Sequence, residues 1–230
     1  MSDIKVQLNS GLKRTNRILL VVLAFAAAAW LALGIYARYR ELQRINDLTS
    51  KHPWLNLKPK KMQTNSVSEA LDHFVFNKRR FSIPFKIQKQ SVVGEMTFIE
   101  SSDNRSIAFS NHGLFDAKLE KGVGSSDLEI ATKVLNLTAS EVSIFKPTSK
   151  ISMVLFFKYI YAKSCKPDAI FQLSSQLITA FQFGSSFSSS HCIQATLFDR
   201  EKGFATLEFT SFKEKRFSQD EINLVLLSSK

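Results

Sequence analysis

Nineteen consecutive residues without a charge, Ile18 to Tyr36, interrupt an otherwise mixed polar chain near its start. As a helix rising about 1.5 Å per residue the run spans roughly 28 Å, close to the ~30 Å hydrocarbon core of a bilayer, where only a helix or a closed barrel satisfies its own backbone groups. A secretory signal has an apolar region of about 7 to 15 residues ending at a small-residue cleavage site. Here Ala32-Leu33-Gly34 is followed by bulky Ile35 and Tyr36, which continue the apolar run, so the pattern predicts an uncleaved single-pass anchor.

Past the span, Tyr39, Leu42, Ile45 and Leu48 recur every three residues and predict a juxtamembrane helix over 37–50, stopped at His52-Pro53. Pro53, Pro59 and the cluster Lys58, Lys60, Lys61 then read as a basic linker to residue 65. Ser66 and Glu69 have capping-box spacing, so a helix is expected over 66–77, with Ala70, Leu71, Phe74 and Val75 as its apolar face. Phe81, Ile83, Phe85 and Ile87 alternate as a half-buried strand, and Pro84 assigns it to an edge or a strand start. Val92–Ile99 and Ser106–Ser110 flank the turn-rich Ser101-Ser102-Asp103-Asn104 as a hairpin, and Leu114–Leu119 is a weaker strand candidate.

Capping boxes Ser126/Glu129 and Thr138/Glu141 predict helices near 127–136 and 139–145. Residues 151–162 are too short for a second crossing, and Lys158 interrupts them; they read as a core strand or a buried helix. Ile170, Leu173, Leu177, Ile178 and Phe181 fit an amphipathic helix over 168–182. Ile193, Ala195, Leu197 and Ala205, Leu207, Phe209 alternate on either side of Asp199–Gly203 and form the clearest hairpin, and Ser218/Glu221 caps a closing helix. The expected fold class is α+β: a single N-terminal transmembrane helix followed by an antiparallel sheet of five to seven strands with helices on one face. The divisions are a short basic tail (1–17), the span (18–36), a juxtamembrane helix and basic linker (37–65) and a soluble domain (66–230).

Charge changes this picture by adding a partner. The formal net charge is +11, and residues 1–90 hold sixteen Lys and Arg against five Asp and Glu, so the entire excess is membrane-proximal. Each basic side chain near an anionic bilayer contributes about 1 kcal/mol, an effect lost within a Debye length. Lys13, Arg14, Arg17, Arg38, Arg40, Arg44, Lys58, Lys60 and Lys61 are therefore candidate contacts to anionic lipid headgroups. No nucleic-acid motif accompanies the charge, and nucleic acid is not expected as a partner.

Chemistry is less visible. Gly122-Val123-Gly124-Ser125-Ser126 sits where a phosphate-binding turn would, but lacks the third glycine of a dinucleotide fingerprint and the ending of a P-loop. His52, His73, His112 and His191 are scattered outside any ligand spacing. His191 and Cys192 are adjacent on a strand and point to opposite faces, which does not suit a nucleophile and its base. No catalytic, cofactor or metal residue is assigned, and no cofactor is expected. Cys165 and Cys192 form a candidate disulfide whose existence depends on an oxidising compartment. Lysine and arginine counts near the two ends of the span tie; a wider window that takes in Lys58, Lys60 and Lys61 leans toward a cytoplasmic domain, while the cysteine pair and the signal-anchor layout lean outward, the side expected here.

The layout predicts a non-enzymatic, single-pass subunit of a membrane-embedded assembly of the secretion, pilus or conjugation type. Its domain is expected to bind other subunits or further copies of itself on the periplasmic side of a bacterial inner membrane. A membrane-anchored enzyme or ligand-binding domain is one alternative, and an immunity-type or sensor binding protein is another.

Overall fold

The computed structural model describes residues 2–62, 69–111, 126–138, 141, 155, 158–159, 167–186, 192–199, 202–211 and 215–228, with side chains from residue 19 onward. A single helix, α1 (Ser2–Lys51), carries the apolar run and continues without interruption through the juxtamembrane segment. It ends at a 3-10 turn, Pro53–Asn56. Strands follow: β1 (Lys60–Lys61), β2 (Asp72–Phe76), β3 (Arg79–Ile83), β4 (Lys89–Val93), β5 (Met96–Glu100) and β6 (Arg105–Ser110). Helix α2 (Asp127–Asn136) precedes β7 (Ile170–Ser174), β8 (Ile178–Phe183), β9 (Cys192–Asp199) and β10 (Gly203–Ser211), and helix α3 (Gln219–Leu227) closes the fold.

Eight strands form one sheet in the order β1-β7-β8-β9-β10-β6-β5-β4, and β2-β3 forms a separate hairpin. Every pairing is antiparallel except β1 with β7, so the α+β class is as expected while the sheet is mixed. The predicted hairpin of β9 and β10 is present, with Asp199 opposite Gly203. Both helices with caps among the described residues also stand where the sequence puts them. Ser126 accepts a hydrogen bond from the Glu129 amide, and Ser218 and Glu221 complete a reciprocal box at α3.

Cover lies on both faces, where one was expected. On the first, the β2-β3 hairpin and α3 enclose Phe81, Ile83, Ile99, Ile107, Leu207 and Val225. On the second, the 3-10 turn and α2 pack Trp54, Leu55, Val134 and Leu135 against Phe181, Phe183 and Phe198. Burial of each such side chain stabilises by roughly 1.5–3 kcal/mol.

Three expectations are corrected. Residues 72–76, expected within a helix, are strand β2, because Phe74 turns inward between the outward His73 and Val75 and the left-handed Asn77-Lys78 pair (φ 49° and 62°) reverses the chain as a tight hairpin turn. Ser66 of the proposed cap lies outside the described residues. The helix expected over 168–182 is the β7-β8 hairpin. Its strands are apolar on both faces, Ile178 and Ala180 facing the first cluster and Phe181 and Phe183 the second, and this erases the alternation that marks a half-buried strand. Val92–Ile99, read as one strand, is divided into β4 and β5 by Gly94-Glu95, where Gly94 takes φ 60°.

The stretch read as a basic linker is docked on the domain over its described part. Trp54 and Leu55 are buried in the second cluster, and Lys60-Lys61 pairs with Phe171-Gln172. Of 151–162, Leu155, Lys158 and Tyr159 are helical, and the first two are fully buried. The 114–119 strand and the 122–125 turn lie outside the described residues, as does the 139–145 helix apart from Glu141.

Candidate functional site

The candidate site is the junction between the apolar helix and the domain. Residues Leu19–Lys51 form a helical segment of mean hydropathy 2.4 in its most apolar window, no part of which is buried, and this makes it long and apolar enough to cross a membrane. The burial pattern changes near its end. Ile45 and Thr49 are buried on one side of the helix, and Leu48 packs against the second cluster. The Thr49 hydroxyl returns a hydrogen bond to the Ile45 carbonyl at 2.9 Å, which removes its polarity from the apolar contact.

Below the helix end, His52, Trp54 and Tyr159 form an aromatic group, with the Trp54 and Tyr159 rings stacked at 6.2 Å. Lys158 lies beneath it, wholly buried, and donates hydrogen bonds to the carbonyls of Leu57 (2.6 Å), Leu135 (3.2 Å) and Leu137 (3.3 Å). Two of these acceptors belong to the C-terminal end of α2, where carbonyls lack helical partners and the helix dipole favours a cation. The third terminates the 3-10 turn. One ammonium therefore ties the segment leaving α1 to α2. Burial pushes the Lys158 pKa down to about 8, with Lys58 adding to the shift and Glu141 opposing it.

This geometry divides the nine basic candidates. Ile45, the first buried residue of the helix, follows Tyr36 by nine positions, or about 14 Å along the helix. Arg38, Arg40 and Arg44 lie within that interval and are exposed. Lys13, Arg14 and Arg17 are on the same helix before the span, in the part where only the backbone is described. Lys58 belongs to the domain and is ion-paired with Glu141 at 2.6 Å. Lys60 and Lys61 are exposed on β1, beyond the docking point and separated from the helical arginines.

Cys192, at the start of β9, is disulfide-bonded; the chain's other cysteine, Cys165, lies outside the described residues, as do His112 and His191. His73 is exposed on β2.

Two arginines that the sequence did not single out are buried. Arg79 reaches the β9-β10 turn, donating to the carbonyls of Phe204 and Lys202, and its Nε faces Asp199 at 3.8 Å. Arg105 lies between the rings of Phe85 and Phe217, 5.4 and 5.3 Å from their centroids, and bonds both Asp103 and Glu221. Their only signal in the sequence is a cation at a position where the strand alternation calls for an inward side chain. Both are structural ties between elements.

A cleft of about 390 Å³ opens where the start of α2, the β7-β8 turn and the end of the β9-β10 hairpin meet. Asp127, Gln176, Thr179 and Asp199 line it with the exposed Leu177, and its described lining contains no histidine, lysine or cysteine. Among the described residues, no three His, Cys, Asp or Glu side chains gather as a metal site. In comparisons with known proteins the chain matches no family model, no curated protein and no solved structure.

Proposed function

We propose that this protein is a single-pass membrane subunit whose domain binds other subunits of a membrane-embedded assembly, of the secretion, pilus or conjugation kind. The observation that carries the reading is the unbroken helix α1, which leaves the apolar run and packs Leu48 against the second core cluster twelve positions, or about 18 Å, beyond Tyr36. A flexible tether gives a domain reach; a helix docked at both its membrane and its core end gives it a fixed height and orientation. Fixed placement suits a part that must present surfaces to neighbours in register.

The domain is assigned to the periplasmic side of a bacterial inner membrane. The disulfide at Cys192 supports that side, because disulfides persist in oxidising compartments. In membranes whose outer layer has been opened, a membrane-impermeant maleimide is expected to label the two cysteines only after reductant is added. Labelling in inverted vesicles without reductant would overturn the orientation.

A second reading, a membrane-anchored ligand-binding domain, is favoured by the 390 Å³ cleft beside Asp127 and Asp199. The immunity or sensor alternative has no comparable observation in its favour.

A further inference from the structure

The two edges of the eight-stranded sheet are treated differently. At one, β1 is two residues long and both are lysines, which are devices that keep an edge from pairing. At the other, β4 has five residues, contains no proline, and leaves Val92 and Val93 each 66% exposed.

The register fixes which backbone groups are open. A two-residue loop, Gly94-Glu95, joins β4 to β5, so Val93/Met96 and Ser91/Phe98 are the pairs that exchange both hydrogen bonds. The N–H and C=O groups of Gln90 and Val92 consequently point away from β5. The Val92 side chain shares a sheet face with its opposite residue Thr97, and Val93 shares the other face with Met96, so apolar surface flanks the open edge on both sides.

We propose that β4 is the docking edge for a second copy of this chain, which adds its own β4 antiparallel across a two-fold axis at Ser91. The strand is complementary to itself in that register. Gln90 of each copy meets Val92 of the other and exchanges both backbone bonds, and Lys89, which reaches Glu100 of its own chain at 3.6 Å, lies opposite Val93, so no like charges oppose each other across the seam. Two five-residue strands bury less than the roughly 1,000 Å² expected of a stable soluble interface, but anchors in one membrane raise the effective concentration and favour weak self-pairing. The inference deepens the interaction-subunit reading by naming one surface and its occupant.

The test uses the full chain in lipid vesicles. Ser91 of one copy faces Ser91 of the other in a pair without mutual hydrogen bonds, about 4.5 Å apart at Cα, inside the range a disulfide bridges. Under mild oxidation S91C should form a reducible dimer at least about tenfold faster than the control S102C, whose cysteine sits on the exposed β5-β6 turn. Adding V92P should abolish the S91C dimer, since the Val92 N–H is not used by β5 and proline there removes an outward donor. V92K, which keeps the backbone donor and sets a charge at the edge, should weaken dimerisation in the same direction. Equal crosslinking of S91C and S102C would overturn the proposal, as would a S91C dimer that survives V92P or V92K in folded protein. A chain that is monomeric in vesicles yet recovered in a large complex would overturn the pairing while leaving the subunit reading standing.

Discussion

Replacing Arg105 with alanine is expected to lower the unfolding free energy by about 3–5 kcal/mol, the cost of breaking a buried ion pair by removing one partner. Arg105 is 3% exposed and is held by groups from separate parts of the chain. Asp103 on the β5-β6 turn receives its Nε, one oxygen of Glu221 accepts from Nη1 at 2.7 Å, and Phe85 and Phe217 cover its faces. The other Glu221 oxygen accepts from the Ser218 amide, so one carboxylate both caps α3 and ties it to β6. Lysine cannot reproduce this, because a point ammonium lacks the planar fork that serves two carboxylates and stacks between rings. R105K should retain less than half of the lost stability in denaturant titrations of the detergent-solubilised chain.

The same cluster sets an acid dependence. Burial pushes the Asp103 carboxyl up, but hydrogen bonds from Arg105, Lys215 and Ser101 together with the Arg105 charge outweigh it and hold the group well below the usual carboxylate range. A depressed folded value means that the contribution is complete above the unfolded pKa of about 3.9 and is lost as pH falls from there. D103N should flatten the acid limb of the stability profile and leave the neutral region shifted downward.

The second large effect is expected at Lys158. Two costs oppose each other there. Holding the ammonium charged in the core, with its pKa near 8 against an ordinary 10.5, costs on the order of 3 kcal/mol at neutral pH. Removing the donor is worse, because it leaves three buried carbonyls without a partner, about 1–3 kcal/mol for each unsatisfied group. K158M, close in volume and without donors, should therefore destabilise by about 2–4 kcal/mol and loosen α2 together with the end of α1. Hydrogen exchange should show this as faster exchange at Leu55, Leu57 and Leu137 than at β6 or β10.

The pH signature has the opposite sense to that of Asp103. Between about pH 8 and 10.5 the unfolded chain binds the Lys158 proton and the folded chain releases it, so this group adds stability as pH rises through the window. The wild type should gain over K158M across that range in matched titrations.

What the sequence revealed about the fold depended on whether one face of an element meets water or another layer. The β9-β10 hairpin was legible because Ile193, Ala195, Leu197 and Ala205, Leu207, Phe209 alternate cleanly around a polar turn. The boxes at Ser126 and Ser218 were legible because capping is local chemistry. The β7-β8 hairpin was not, since Ile170, Leu173, Leu177, Ile178 and Phe181 also satisfy a helical stripe, and only the layer on each side shows why both strand faces are apolar. Residues 72–76 misled for a related reason. Leu71, Phe74 and Val75 fit a helix, and the deciding turn, Asn77-Lys78, lacks the glycine that usually signals a tight hairpin.

Of the functional candidates, the anchor could be read directly from the nineteen uncharged residues. Its attachment to the domain could not, because Trp54 and Leu55 are two apolar residues in a segment dominated by Pro and Lys. The sequence set Lys158 inside an apolar stretch and Lys60 and Lys61 in a basic one, but not the three carbonyls that Lys158 serves. The division of the basic candidates between the exposed helix and the domain follows from where α1 stops being exposed.

The proposed role is that of a domain held at fixed height by its membrane helix as one part of a larger assembly. Extraction of the native membrane in mild detergent, with brief crosslinking beforehand and sizing of the species that contains this chain, tests it most directly. The expected result is a large complex with distinct copurifying membrane proteins, reduced when a flexible glycine-serine insert is placed between Tyr39 and Ile45 to uncouple the helix from the domain. A chain recovered as a monomer before and after crosslinking, with no copurifying protein, would contradict it.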